Sequence, residues 1–190
     1  MLKEVVSFIS DELNTFIKTR LELNEDKVVI SNFMNQDGTL ALQEENKIVV
    51  SMINLEQETV VNTASVRALN TQVAYANPPL YLNVYLLFSA FFGGSNYTEA
   101  LKFLSLVIRF FQGKHAYDHQ NSPAMPDNIE KLIFKMVTLD YQELSHMWGM
   151  LGSKYMPSAI YQMRMITIDD QLITDTLPAV SGSDTSAEKR

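Results

Sequence analysis

His115 and His119 stand four residues apart with Asp118 between them, the spacing that puts two imidazoles on one face of a helix and can hold a divalent metal. In this chain they follow Gly113 and fall in a polar, proline-containing stretch, 114–128, where helical spacing carries no geometric weight. With three histidines and no cysteine in the chain, no metal set is completed, and a solvated loop is expected. Ser145 and His146 are sequence neighbours, and consecutive side chains on a helix diverge, so they do not make a nucleophile with its base. Gly93 and Gly94 lack the Gly-x-x-x-x-Gly-Lys continuation that cradles phosphate and are read as a tight turn. The acid pairs Glu44-Glu45 and Asp169-Asp170 sit at the edges of expected elements, where carboxylates are ordinarily solvated. No catalytic, cofactor-binding or metal-ligating residue is assigned.

The remaining concentration of unusual chemistry is aromatic. Tyr75, Tyr81, Tyr85, Phe88, Phe91 and Phe92 cluster in and before "PPLYLNVYLLFSAFF" (78–92). Residues 80–92 number 13, include Asn83 and Ser89, and close on Gly93-Gly94, well short of the roughly 20 apolar residues of a membrane helix. Two readings stay open: the wall of a small-molecule pocket in a ligand-binding or enzymatic α/β domain, or a strand buried on both faces. The second fits an acidic chain without cysteine, which must be stabilised by packing or assembly. A net charge of −7 disfavours nucleic acid and anionic lipid, which are bound by neutralising phosphates with Lys and Arg. The first turns, "MLKEVVSFISDEL", carry acids and no continuous apolar core, so they are not read as a secretory signal, and cytoplasmic synthesis is expected.

The elements around these residues follow from periodicity. Leu2, Val5, Val6, Ile9, Leu13, Phe16 and Ile17 recur at helical spacing and predict an amphipathic helix over 2–18. Runs 27–31 and 47–55, rich in β-branched residues and separated by the "NQDG" turn at 35–38, predict two strands. Residues 56–77 are polar without a steady period and read as a long loop, a candidate contact arm. Pro78 and Pro79 forbid a helix across that point, so a strand is expected from Leu80 at least to Phe88. "NYTE" (96–99) and "DYQE" (140–143) have capping-box spacing and predict helices 97–112, apolar nearly all round, and 141–151. Strands are expected at 130–139 and 159–168, and residues 171–190 have the composition of a flexible polar tail. Helices and strands intermix without strict βαβ alternation, which predicts an α+β domain over 1–170, a mixed β-sheet with helices packed against it.

Two segments carry a resemblance. "PPLYLN", with Pro78, Pro79, Tyr81, Asn83 and then Tyr85, pairs with a later "W..LG..Y.PS..Y" formed by Trp148, Gly152, Tyr155, Pro157, Ser158 and Tyr161. Together they resemble the tail-terminator, or cap, proteins of extracellular contractile injection systems, which are phage-tail-like particles. The resemblance covers roughly residues 1–170. It implies a fold similar to phage tail-terminator domains and a structural, non-catalytic role without a cofactor. The expected partners are further copies in a homohexameric ring, the inner tube protein and the sheath protein, with no nucleic acid and no membrane insertion; the ring would sit at the distal end of tube and sheath and stop their growth. Residues 56–77 and the tail are the segments expected to touch tube or sheath, and addition of an extended sheath arm to an open sheet edge is the expected mode. Some members of the family carry a further C-terminal region, so any second role of those longer members is not implied here.

Overall fold

The computed structural model describes residues 1–35, 37–42, 44–58, 66–69, 72–76, 80–167 and 173–178. Its main element is a six-stranded mixed sheet in the order β1-β2-β5-β8-β7-β6. The strands are β1 (Val28–Ile30), β2 (Lys47–Gln57), β5 (Leu80–Phe91), β6 (Ala116–Asp118), β7 (Ile129–Val137) and β8 (Ser158–Thr167). β1 runs parallel to β2 and every other neighbouring pair is antiparallel, so the expected α+β mixed sheet is what the chain forms.

Alternation along β5 sets the two layers. Leu82, Val84, Leu86, Phe88 and Ala90 are buried on one face, against α1 (Leu2–Leu21) and α2 (Tyr97–Gly113). Phe88 and Tyr161 pack edge to face at 5.8 Å between ring centroids, and Phe111 lies 4.3 Å from Tyr161 and 5.2 Å from Phe88. On the opposite face Val49, Leu87 and Ile160 meet Phe33 and α3 (Tyr141–Met150) through Met147 and Trp148. This second core covers only part of its face. β5 is therefore buried on both faces from Leu86 to Ala90, whereas Tyr81, Asn83 and Tyr85 are half-buried. The expectation of a strand buried on both faces throughout is corrected on that point, because α3 is short and covers one end of the sheet.

Local chemistry explains the helix ends. The Asp140 carboxylate accepts from the Glu143 amide at 2.8 Å while the Glu143 carboxylate accepts from the Asp140 amide at 3.0 Å, closing the capping box that starts α3. The corresponding expectation at Asn96 fails: its side chain makes no cap and instead donates to the Asn46 side chain at 3.1 Å, after a 3₁₀ turn at Gly94–Asn96. α2 buries Ala100, Phe103, Leu106, Val107, Phe110 and Phe111 and leaves Leu101 and Ile108 exposed, so one side of the nearly all-apolar helix is covered. The first helix runs three residues beyond its predicted end, to Leu21, and closes on left-handed Glu22 (φ 52°).

Two expectations are overturned. Within 56–77, read as a loop, β2 continues to Gln57 and two further strands form, β3 (Val66–Leu69) and β4 (Gln72–Ala76). Within 171–190, read as a flexible tail, β9 (Ile173–Pro178) pairs antiparallel with β4, giving a second sheet in the order β3-β4-β9. Composition misled in both places: β3 and β4 pair locally without a steady apolar period, and β9 finds its partner, β4, about a hundred residues away. A short strand, β6, also interrupts the predicted loop 114–128. Asp169, Asp170, Pro78, Pro79 and the rest of the tail lie outside the described residues.

Candidate assembly surface

Where α3 stops covering the sheet, its second face presents a polar surface built by register. β5 offers Tyr81, Asn83 and Tyr85; β8 offers Gln162, Arg164 and Ile166 opposite them; β7 adds Lys131, Ile133 and Lys135. β2 contributes Asn54 and Glu56, brought to this face by a bulge between Met52 and Asn54 that reverses the alternation of the strand. The Tyr85 hydroxyl donates to the Glu56 carboxylate at 3.0 Å, and Asn54 Nδ2 donates to the other oxygen at 2.9 Å. Burial, then that hydrogen bond and the Glu56 charge, push the Tyr85 phenol above its ordinary range, so it remains a donor. The Arg164 guanidinium pairs with Glu58 and lies 5.6 Å from the Tyr81 ring centroid. Asn83 Oδ1 is shielded from solvent and has no hydrogen-bond partner among the described residues.

The predicted motif residues divide between this surface and the core. Tyr81, Asn83 and Tyr85 stand on the open half-face. Trp148 is buried beside Phe33 at 5.5 Å, with the exposed Tyr155 6.0 Å from it. Gly152 takes φ +66°, the left-handed turn that follows α3. The Pro157 carbonyl accepts from the Ala90 amide at 2.9 Å, Ser158 pairs with Ser89 at the start of β8, and Tyr161 is core. The two motifs are thus adjacent strands and the helix beside them, brought together although about seventy residues apart in sequence.

The residues first weighed for catalysis do not converge. His119 bonds the Ile129 carbonyl at 2.8 Å, Ser145 and His146 are both exposed on α3, and Glu44 pairs with Lys47 at 3.3 Å. Among the described residues no three of His, Asp and Glu gather as a metal site, and no helix is long and apolar enough to cross a membrane. Three grooves formed by described residues lie between α1 and β2, beside Phe92 and Phe103, and between Met136 and Ile160; neither Tyr81 nor Tyr85 lines any of them. Sequence reasoning missed Met52, Glu56, Lys135, Met136 and Arg164, whose importance comes from cross-strand register and has no local signal.

Two solved structures share the fold. A cryo-EM structure of the sheath/tube terminator of the PVC extracellular contractile injection system, in its extended state, matches with a TM-score of 0.60 at 14% identity, over 95% of this chain and 63% of that one. The tube-terminating cap of the anti-feeding prophage matches with a TM-score of 0.59 at 13% identity, over 94% of this chain and 60% of that one. The chain therefore spans less than two thirds of the length of either terminator. No curated protein matches it. The profile of the Pvc16 N-terminal domain matches residues 4–182, nearly the whole chain and including the second sheet, and on that match the chain belongs to the Pvc16 N-terminal domain family.

Proposed function

We propose that this chain is a structural cap of a phage-tail-like contractile particle, forming a homohexameric ring on the distal end of the inner tube and sheath and ending their growth without catalysis. The observation that carries this reading is the shared fold with a sheath/tube terminator and a tube-terminating cap over at least 94% of the chain. The open polar half-face supports it: Tyr and Arg are the residue types enriched at protein interfaces, and here Tyr81, Tyr85 and Arg164 stand together on a sheet rather than around a cleft. Contacts with tube and sheath are assigned to that half-face and to the second sheet, β3-β4-β9. The ring is made in the cytoplasm and leaves with the particle or stays with an anchored one.

Deletion of the gene, followed by electron microscopy of the particles, tests the proposal. Particles of uncontrolled length, or none, are expected; particles of normal length would overturn it.

A further inference from the structure

Among the described residues the main sheet is incomplete at both ends, and the two open stretches share the rows of Met52 and Asn54. β1 pairs with β2 only at Ile48, Val49 and Val50, so residues 52–57 of β2 have no strand on their outer side among the described residues. β6 pairs with β7 only from Lys131 to Ile133, and the amide of Phe134 reaches the His115 carbonyl at 2.7 Å, after which residues 135–137 are likewise open. One row of cross-strand neighbours runs Met52, Leu86, Tyr161, Met136. Its inner pair is buried at 0% and 4% exposure, while its outer pair, on the two open edges, is exposed at 51% and 49%. The next row, on the other face, runs Asn54, Tyr85, Gln162, Lys135, and the one after it begins at Glu56 and ends at Ile133. Among the described residues neither Lys135 nor Glu56 is in an ion pair.

We infer that the open edge of β2 in one copy receives the open edge of β7 in the next, so that the sheet continues from subunit to subunit. Three properties of the edges agree. β2 and β7 run in opposite directions within the sheet, so a copy added in the same orientation pairs antiparallel. Continuing the rows sets Met136 beside Met52 on the helix-covered face, where Met52 lines a groove of mixed character, about 570 Å³, whose apolar part is Leu2, Val6, Ile30 and Val50 and whose polar part includes Lys3, Ser7 and Asn32. On the other face the same step brings Lys135 beside Asn54 and diagonal to Glu56, so an unpaired cation meets an unpaired anion. The two edges differ, so the contact is heterologous and propagates in one rotational sense until it closes. It also explains why an acidic chain carries, among the described residues, two open edges with exposed methionines, features that otherwise invite aggregation.

This inference rests on the ring proposed above and names the surfaces that make it. The chain has no cysteine, which makes disulfide trapping clean. In the full chain Met52→Cys and Met136→Cys together are expected to give a ladder of covalent oligomers on mild oxidation, since facing residues in antiparallel strands stand about 4.5–5.5 Å apart between Cα atoms, within bridging range. Each single variant alone is expected to stay monomeric under denaturing conditions, and an equal mixture of the two singles to give a dimer. In parallel, Glu56→Lys or Lys135→Glu is expected to weaken association measured by sedimentation by about 10-fold, and the two together to restore it. No ladder, or self-linking by either single variant, would overturn the inference, as would trapping of Met52→Cys by the sheath protein in place of a second copy. Circular dichroism melts of every variant separate loss of contact from loss of fold. The outcome is independent of particle length: length control without the Met52–Met136 link keeps the cap and removes this edge, whereas the link without length control does the reverse.

Discussion

Asn14 shows how one buried polar side chain can fix an element. Its Oδ1 accepts from the Lys27 and Val28 amides at 2.9 and 2.8 Å, and its Nδ2 donates to the Val28 carbonyl at 3.0 Å, so the amide substitutes for a strand along β1 and ties that strand to α1. Asn14→Leu would strip three backbone groups of their partner, and a loss of about 2–3 kcal/mol in urea unfolding is expected. Tyr117 is the opposite case. Its ring is fully buried and lies 5.6 Å from Phe134 and 6.0 Å from Phe8, but its hydroxyl has no partner among the described residues. Tyr117→Phe is therefore expected to leave stability unchanged or raise it by about 1 kcal/mol. Burial and, secondarily, the Glu12 charge push the Tyr117 phenol well above its ordinary value of 10.0, and burial raises Tyr161 too. The unfolded chain releases these protons near the ordinary value while the folded chain retains them, so stability is full below about pH 10 and falls as pH rises beyond it. Thermal melts between pH 8 and 11 should show that decline, and Tyr117→Phe should make it shallower.

At the scale of elements, α3 depends on its two ends. Asp140→Ala removes the capping box and is expected to cost about 1 kcal/mol. Gly152→Ala forces a Cβ into φ +66° and is expected to cost about 1 kcal/mol as well, read by the same urea midpoint. These are small beside β5, where Phe88→Ala would empty the space between Phe111 and Tyr161 and cost about 3–5 kcal/mol, enough to leave the domain marginal. The sequence already carried most of this. The 3.6-residue recurrence of Leu2 to Ile17 marked α1, and the Asp140 to Glu143 spacing marked α3, because those signals are local. The Asn96 cap was misread because its spacing was right while its side chain found Asn46, fifty residues earlier. The strand Ile173–Pro178 was missed for the same reason, its partner lying about a hundred residues earlier, whereas Val66–Leu69 and Gln72–Ala76 pair locally and were missed because residues 56–77 show no steady period.

For the whole molecule, the choice between a pocket and an assembly surface is made by cover. Tyr81 and Tyr85 lie on a sheet face that nothing among the described residues encloses, as α3 ends short of them. Tyr81→Ala combined with Tyr85→Ala is accordingly expected to keep the fold, with each change costing no more than about 1 kcal/mol by thermal melt, and, under the proposed cap role, to lower retention of the chain on isolated tubes or sheaths. Unchanged retention would move the contact off this face; loss of a small-molecule ligand with assembly intact would favour the pocket reading instead.

The sequence by itself determined what is local or compositional. It set an acidic chain with no cysteine, the amphipathic α1, the two helices and main strands, an α+β class, and the pair of motifs on which the resemblance was drawn. Tertiary structure decided where the described motif residues stand. Tyr81, Asn83 and Tyr85 face an open half-sheet while Trp148 and Tyr161 fill cores, a division set by where α3 ends and by the bulge at residues 52–54. It also revealed the row from Met52 to Met136, four residues drawn from four strands. No pattern along the chain encodes such a row, because cross-strand register is fixed by long-range pairing and becomes visible only when the strands are side by side.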